Sequence, residues 1–442
     1  MDRVADQLGS LVVYLDGSVL SAEEISKKTL VLVDNFLIKE THSIFFKSLK
    51  DRGHILTFKS ADDSTLTLFK YGELLYQNVI LFSPKVEEFG GKISKKMILD
   101  FIDEGGNVLL ATGSKPGVVL REIAVECGVE VDTPGSSQLG SLVIDHFNYD
   151  ISDPSHTLIA VDAVNLIDAS IIVGSRNVSP MLYKGIGLLV NNSNPLVLKL
   201  LSGYSTSYSF DPFANMDKSP NVMGKDTTLI AGVQTRNNAR IVFSGSLDFF
   251  SNEAFISSVF KINDKEYPKS SNAEVSINLS KWVFKEIGVI SVKSVFHYKL
   301  NERKTPMDYT ITDMAVFEME LQQKIDDVWK PFSVKDLQLE FVRIDPFIRT
   351  NIPLVAEGKY KVIFKIPDVY GVFKFLVDYK RVGYTSVFNS TQVSVRPLKH
   401  TEYERFIQSA YPYYVGAFSM MVGVFLFSFV FLHADLDKDK AD

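Results

Sequence analysis

The chain runs to 442 residues, 46% hydrophobic and 23% charged, so it is a folded protein with room for more than one core. A net charge of −6 without a basic stripe excludes nucleic acid as a partner. The single cysteine, Cys127, excludes an internal disulfide framework.

Residues 1–28 read as an N-terminal segment of their own. Met1-Asp-Arg-Val-Ala-Asp-Gln7 has no basic n-region, and Leu11-Val-Val-Tyr-Leu15 is too short for the apolar core of a secretory signal. From residue 29 strands and helices alternate. Thr29-Leu-Val-Leu-Val33, Ile55-Leu-Thr-Phe58, Asn78-Val-Ile-Leu-Phe82 and Asn107-Val-Leu-Leu-Ala111 read as strands. Apolar spacing predicts helices over 41–51, with Thr41 as N-cap, over 66–76, and over 95–104, the last ended by Gly105-Gly106. Strands apolar throughout, separated by helices, imply a parallel sheet covered on both faces. The expected fold class is α/β plus β, opening with a doubly wound, flavodoxin-like or glutamine-amidotransferase-like layer over 29–140. Cys127 falls at a helix-to-strand junction, the place of a buried small hydrophobe.

Residues 141–288 read as a mixed, β-rich region packing with that layer. Strand-like pieces at 158–161, 171–173 and 187–190 alternate with Asn, Ser, Asp, Pro and Gly, and 240–250 reads as a strand running into a turn. A helix carrying Trp282 and Phe284 is predicted over 276–286. Over 289–398, pieces such as 337–343, 360–365, 372–378 and 391–396 alternate apolar and polar residues, which predicts an antiparallel β-sandwich. A juxtamembrane segment, 399–412, follows.

From Tyr413 to Leu432 the chain carries no charge, and a helix of that length crosses roughly 30 Å of hydrocarbon. Helical pairing satisfies the backbone there, and Tyr411, Tyr413 and Tyr414 crowd one end, at headgroup level. Residues 413–432 are therefore the predicted transmembrane helix, and 433–442 a hydrophilic tail. Its Lys438-Asp-Lys440-Ala-Asp442 ending resembles the dilysine retrieval signal of endoplasmic-reticulum membrane proteins with a cytosolic C-terminus, with Lys438 and Lys440 as the signal residues.

The search for chemistry comes out negative. Val33-Asp-Asn-Phe-Leu-Ile38 lacks the glycines of a dinucleotide loop. In Thr112-Gly-Ser-Lys-Pro-Gly117 the glycines are wrongly spaced around Ser114 for a nucleophile elbow. Asp145-His-Phe-Asn-Tyr-Asp-Ile-Ser-Asp153 bunches three carboxylates with His146, a donor set for a cation but equally the vocabulary of turns. No catalytic, cofactor-binding or metal residue is assigned. Asn-x-Ser/Thr sequences at Asn191, Asn278 and Asn389 are candidate glycosylation acceptors, and a fourth, at Asn177, is disfavoured by Pro180.

Several long segments, in chain order, identify a family. They include Thr41-His-Ser-Ile-Phe-Phe-Lys-Ser-Leu-Lys-Asp-Arg-Gly53, Phe82-Ser-Pro84 with Phe89-Gly-Gly91, and 145–153. Asn237-Asn-Ala-Arg240 with Phe243-Ser-Gly-Ser-Leu-Asp-Phe-Phe250, and Leu339-Glu-Phe-Val-Arg-Ile-Asp-Pro-Phe347, continue the series. Pro367-Asp-Val-Tyr-Gly-Val-Phe373, Ser394-Val-Arg-Pro397 and Ser409-Ala-Tyr-Pro-Tyr-Tyr414 complete it. From about residue 29 onward the chain resembles the forty-eight-kilodalton, non-catalytic subunits of the eukaryotic oligosaccharyltransferase. The resemblance implies a single-pass type I protein of the endoplasmic-reticulum membrane, with a lumenal body and a cytosolic C-terminus. Its complex moves a preassembled glycan from dolichyl diphosphate to asparagine of Asn-x-Ser/Thr. Expected partners are the catalytic glycosyltransferase subunit, ribophorin-type and small membrane subunits, a nearby protein translocon and the lipid bilayer. Residues 1–28 depart from the family's cleaved signal. The alternative reading is a glycan-binding lumenal module that presents donor or acceptor.

Overall fold

The computed structural model describes residues 13–15, 18–20, 27–133, 140–214, 219–261, 266–302, 304–325, 327–405 and 407–433. A nine-stranded sheet organises the first two-thirds of the chain. Its strands are β1 (Lys28–Val33), β2 (Ile55–Ser60), β3 (Asn78–Phe82), β4 (Asn107–Ala111), β5 (Val129–Val131), β6 (Leu188–Val190), β7 (Val197–Ser202), β8 (Thr228–Gln234) and β9 (Arg240–Ser244). They lie in the order β2-β1-β3-β4-β9-β8-β6-β5, with β7 also paired to β8. The first five are mutually parallel, and every pairing beyond β9 is antiparallel. The sheet is therefore mixed, and the all-parallel expectation holds only as far as β9. Past residue 140 the chain returns to this same sheet.

Alternate residues of the parallel strands enter two cores. Val31, Val33, Ile80 and Phe82 face Phe45, Phe46 and Leu49 of helix α1 (Ser43–Asp51) and Trp282 of helix α4 (Asn272–Val283). Leu30, Leu32, Val79 and Leu81 face Ile98 and Phe101 of helix α2 (Lys95–Asp103) and Leu120 and Ile123 of helix α3 (Val118–Glu126). A central strand covered on both faces has no polar side, so its sequence shows no alternation.

Three local expectations are corrected. Thr41 is not the N-cap of α1: His42 holds that position, and the Thr41 hydroxyl lies within hydrogen-bond distance of the Leu37 carbonyl, at the end of a separate turn, Ile38–Thr41. The predicted helix over 66–76 is a small hairpin, Phe69–Lys70 paired with Glu73–Leu74. Tyr71 and Gly72 both take positive φ there, as a two-residue hairpin loop demands, and that geometry overrides the helical apolar spacing. The strand-like 171–173 is a buried helical turn, Ser170–Val173, ended by Gly174 at φ +80.

The last third is a β-sandwich. One sheet contains β10 (Val289–Lys299), β12 (Met314–Ile325), β13 (Val328–Pro331), β16 (Leu354–Ala356) and β17 (Lys359–Lys365). The other contains β11 (Asp308–Thr310), β14 (Gln338–Val342), β15 (Pro346–Asn351), β18 (Gly371–Tyr379) and β19 (Val387–Arg396). Inward residues Phe317, Met319, Phe341, Phe373 and Phe375 share one core. Pairings are antiparallel except β11 with β19, which is parallel. Helix α5 (Tyr411–His433) covers the predicted span, with every side chain outside any protein core.

Candidate functional site

Three regions deserve a functional reading: the carboxyl ends of the parallel strands, the joint between sheet and sandwich, and α5. In open α/β sheets a ligand crevice forms where the strands exit. Here the exits are tied to one another by the chain itself. The Lys85 N–H, after β3, donates to Asp34 Oδ2, after β1, at 3.1 Å, and burial raises the Asp34 pKa. The Gly117 N–H donates to the Pro84 carbonyl at 2.8 Å. Past β9, the Ile186 N–H donates to the Gly245 carbonyl at 2.9 Å, and the Tyr183 hydroxyl donates to the Ile186 carbonyl at 2.7 Å. A Cβ on Gly185 or Gly245 would strike backbone across this contact, so glycine alone permits the approach.

Ser114 sits in the β4 exit loop, where its carbonyl accepts the Ser141 N–H. Among the described residues no histidine or carboxylate is hydrogen-bonded to its hydroxyl. Cys127 caps the C-terminus of α3, and burial, then the charges of Glu126 and Asp103, push its thiol up to about 12, far from thiolate chemistry. The carboxylates of 145–153 are consumed in building loops. Asp145 accepts from the Phe147 and Asn148 N–H groups and from the Thr206 and Ser207 hydroxyls. Asp150 accepts from the Ser152 and Phe260 N–H groups, and Asp153 from those of Thr157 and Leu158. His146 instead meets His156, Nδ1 to Nδ1 at 2.7 Å, and Tyr208. Among the described residues no three His, Cys, Asp or Glu side chains are grouped to hold a metal.

The joint centres on Arg240, at the head of β9 and wholly buried. Its guanidinium donates to the carbonyls of Trp282 (2.7 Å), Ile287 (2.8 Å), Gly288 (2.7 Å) and Gly383 (3.1 Å), and lies 5.0 Å from the Trp282 ring centre. Burial lowers its pKa to about 9, which leaves it charged at neutral pH. The Trp282 indole donates to the same Gly383 carbonyl at 2.9 Å. Gln234 and Asn238, flanking the β8–β9 turn, bond the backbone of Tyr384 and Ser386 in the sandwich. Beside this joint lies a cleft of about 630 Å³, lined by Leu196, Leu198, Arg236, Tyr384 and Phe388. Sequence reasoning missed this centre. The available signal was an arginine heading the otherwise apolar strand Arg240-Ile-Val-Phe243.

Helix α5 is about 35 Å long at 1.5 Å per residue, which suits a bilayer. Ser419 and Ser428 return their hydroxyls to the Gly416 and Val424 carbonyls, so neither is left unpaired in hydrocarbon. Lys438 and Lys440 lie outside the described residues. Of the three sequons, Asn191 is exposed in the loop after β6. Asn389 is half-buried on β19, where its Oδ1 accepts from Thr391. Asn278 lies on α4, its amide donating to the Val173 carbonyl at 3.1 Å, pressed against Gly174.

Comparison with known proteins agrees along nearly the whole length. A family model described as "OST48, N-terminal domain" matches residues 20–286, and one described as "OST48 middle domain" matches 297–435. The dolichyl-diphosphooligosaccharide–protein glycosyltransferase 48 kDa subunit of Drosophila melanogaster is 54% identical over 417 residues, 93% of this chain and 92% of its own. The protein of that name from Danio rerio is 54% identical over 418 residues, 94% of this chain and 93% of its own. Among solved structures, a ThuA-like protein of Parabacteroides merdae overlaps 58% of this chain and 89% of its own at 12% identity, with a TM-score of 0.31. On the matches to both family domains and to full-length relatives, the chain belongs to the OST48 family.

Proposed function

We propose that this subunit of the oligosaccharyltransferase complex, which carries out N-glycosylation in the endoplasmic reticulum, does no chemistry itself and serves as an assembly and stability element. The observation carrying the reading is the alignment of relatives named as the 48 kDa subunit along 93% of the chain. The tied strand exits and the high thiol pKa of Cys127 support it, since neither offers a reacting group.

In this reading catalysis belongs to another subunit, and the partners are that glycosyltransferase, ribophorin-type and small membrane subunits, with a translocon nearby. Helix α5 crosses the membrane once, the body is lumenal, and Lys438 and Lys440 address the cytosolic tail for retrieval. The α/β layer that opens at residue 29 is of the flavodoxin or amidotransferase kind, with 141–288 adding β6 to β9 to its sheet and helix α4 to one face, and 289–398 as a second unit. The β2-β1-β3-β4-β9 order of its parallel strands supports that kinship.

Purification from mild detergent tests the role. The chain should bring the other transferase subunits with it, and removing 411–433 should lower both recovery and transfer. A chain recovered alone, or a complex fully active without it, rejects the proposal.

A further inference from the structure

The sandwich has two unlike ends. At one, the chain enters at Val289 and the hairpin around Gly383 locks onto Arg240. The register fixes what lies at the other. Lys299 pairs with Ala315, Met314 with Lys365, Gly371 with Val395, and Thr310 with Arg396. Short connections, 366–370 and 311–313, join the two sheets there. The last strand, β19, also ends there, so the chain leaves for α5 from this end.

The departure is short. Arg396 pairs with Asp308 at 3.0 Å and with Glu402 at 2.8 Å, and Glu402 accepts the Lys399 N–H at 2.9 Å. The segment up to 402 is thus folded back on the sandwich. Only residues 403–410 separate it from α5, a reach of at most roughly 30 Å even if fully extended.

Large apolar side chains stand at the tips of this same end. Ile344, in the β14–β15 turn, is 83% exposed, Tyr370 is 65% and Leu300 is 48%. Arg343 Nη1 donates to the Tyr370 carbonyl at 3.2 Å and holds the first two tips side by side. The apolar residues stand on separate loops, with charges between them, rather than on one flat face. The charges are of both signs: Arg343, Lys365 and Lys399 against Asp345, Asp368 and Glu302. The short tether after Glu402 keeps this end within about 30 Å of the surface that α5 enters, which favours the bilayer as its partner. A deformable interface accepts separate tips, and aromatic and aliphatic side chains partition into it without an anionic attraction.

We propose that this end of the sandwich rests on the bilayer surface, with Ile344, Tyr370 and Leu300 dipping into the headgroup layer of a zwitterionic lipid. The tips and α5 then form a second and a first attachment, which fix how the body stands over the membrane. The inference rests on α5 being a membrane span, and the experiment separates the two.

The full-length Cys127→Ala chain is reconstituted in phosphatidylcholine nanodiscs, alone and within the purified complex, with one added cysteine carrying an environment-sensitive fluorophore. Ile344→Cys and Tyr370→Cys are compared with Val164→Cys, an exposed position on the α/β body. Nitroxide-bearing lipids should quench the label at 344 and 370 severalfold more than at 164, in both samples. A chain that fails to co-elute with discs overturns both the span and this contact. Co-elution with quenching at 344 and 370 no greater than at 164 overturns the contact alone. Shielding of 344 and 370 from soluble quencher only within the complex, without lipid quenching, assigns the surface to a partner subunit and also overturns it.

Discussion

The guanidinium of Arg240, on a strand of the sheet, and the indole of Trp282, on a helix covering it, both donate to one carbonyl oxygen of the sandwich, that of Gly383. Gly383 takes φ +86, and a Cβ there would collide with Ile171 of the buried turn below. Gly288, at φ +70, presents its own carbonyl to the same arginine. Two glycines in left-handed conformations thus aim acceptors that no other residue could aim as cheaply.

Replacing Arg240 by methionine keeps much of the volume but takes a charged donor from four carbonyls. Those of Trp282, Gly288 and Gly383 keep the Lys285 N–H, the Thr385 N–H and the Trp282 indole, and that of Ile287 loses the arginine without such a replacement among the described residues. We expect Arg240→Met to cost about 1–3 kcal/mol, the scale of leaving a buried polar group short of its donor, since the charge leaves with the arginine. Urea unfolding of the detergent-solubilised chain measures it. Limited proteolysis should show new cleavage near 284–290, where the two units are joined. An unchanged midpoint would mean the joint is held without the arginine, by its apolar contacts and the Gln234, Asn238 and Trp282 hydrogen bonds.

Acid should weaken the body through Glu286. Burial by itself would raise its pKa, but the His54 and Arg52 hydrogen bonds, at 2.9 and 2.6 Å, outweigh that and hold it below 4.5. A carboxylate lowered in the folded state stabilises above its unfolded pKa and loses that contribution as pH falls through the folded value. Unfolding midpoints should therefore fall below about pH 4.5, and Glu286→Gln should flatten that part of the profile. A variant with the same slope assigns the acid sensitivity elsewhere.

The sequons should not be used equally. The Asn278 amide donates to the Val173 carbonyl, with Gly174 against it, so a glycan there would require helix α4 to part from the Ser170–Val173 turn. Asn191 is exposed on a loop. Intact-mass analysis before and after glycosidase should place a glycan at Asn191, removed by Asn191→Gln, and none at Asn278. Occupancy of Asn278 would show modification before folding.

Neither Ser114→Ala nor Cys127→Ala should alter glycan transfer by the assembled complex, because Ser114 lacks a paired base among the described residues and the Cys127 thiol stays protonated. Transfer rates normalised to intact complex test this. A large loss with assembly unchanged would make one of them a reacting group.

Close packing at the strand exits gives a further test. Gly245→Ala places a Cβ against the Ile186 carbonyl and the Tyr183 hydroxyl, so we expect destabilisation of about 1–3 kcal/mol, typical of overpacking. Thermal unfolding of the isolated variant reads the shift.

Much of this protein was legible along the chain. Runs such as Asn78-Val-Ile-Leu-Phe82 declared central strands, because burial on both faces removes any polar alternation. Alternation did the same for β17 and β18, each with one wet face. The uncharged stretch ending at Leu432 fixed α5, since a helix in lipid needs nothing from the rest of the fold. The failures lie where distant residues decide. The apolar spacing of 66–76 was helical, yet a turn at Tyr71-Gly72 folded it into a hairpin. Sequence alone could not show that β8, β6 and β5 extend the parallel strands antiparallel, since pairing direction depends on the path between strands. Nor could it show that Arg240 meets Gly383, 143 residues away, or which sequon keeps a free amide. Local chemistry set the elements and the membrane span. Only tertiary packing, by choosing which buried donors meet which carbonyls, set the joint and the faces the protein offers.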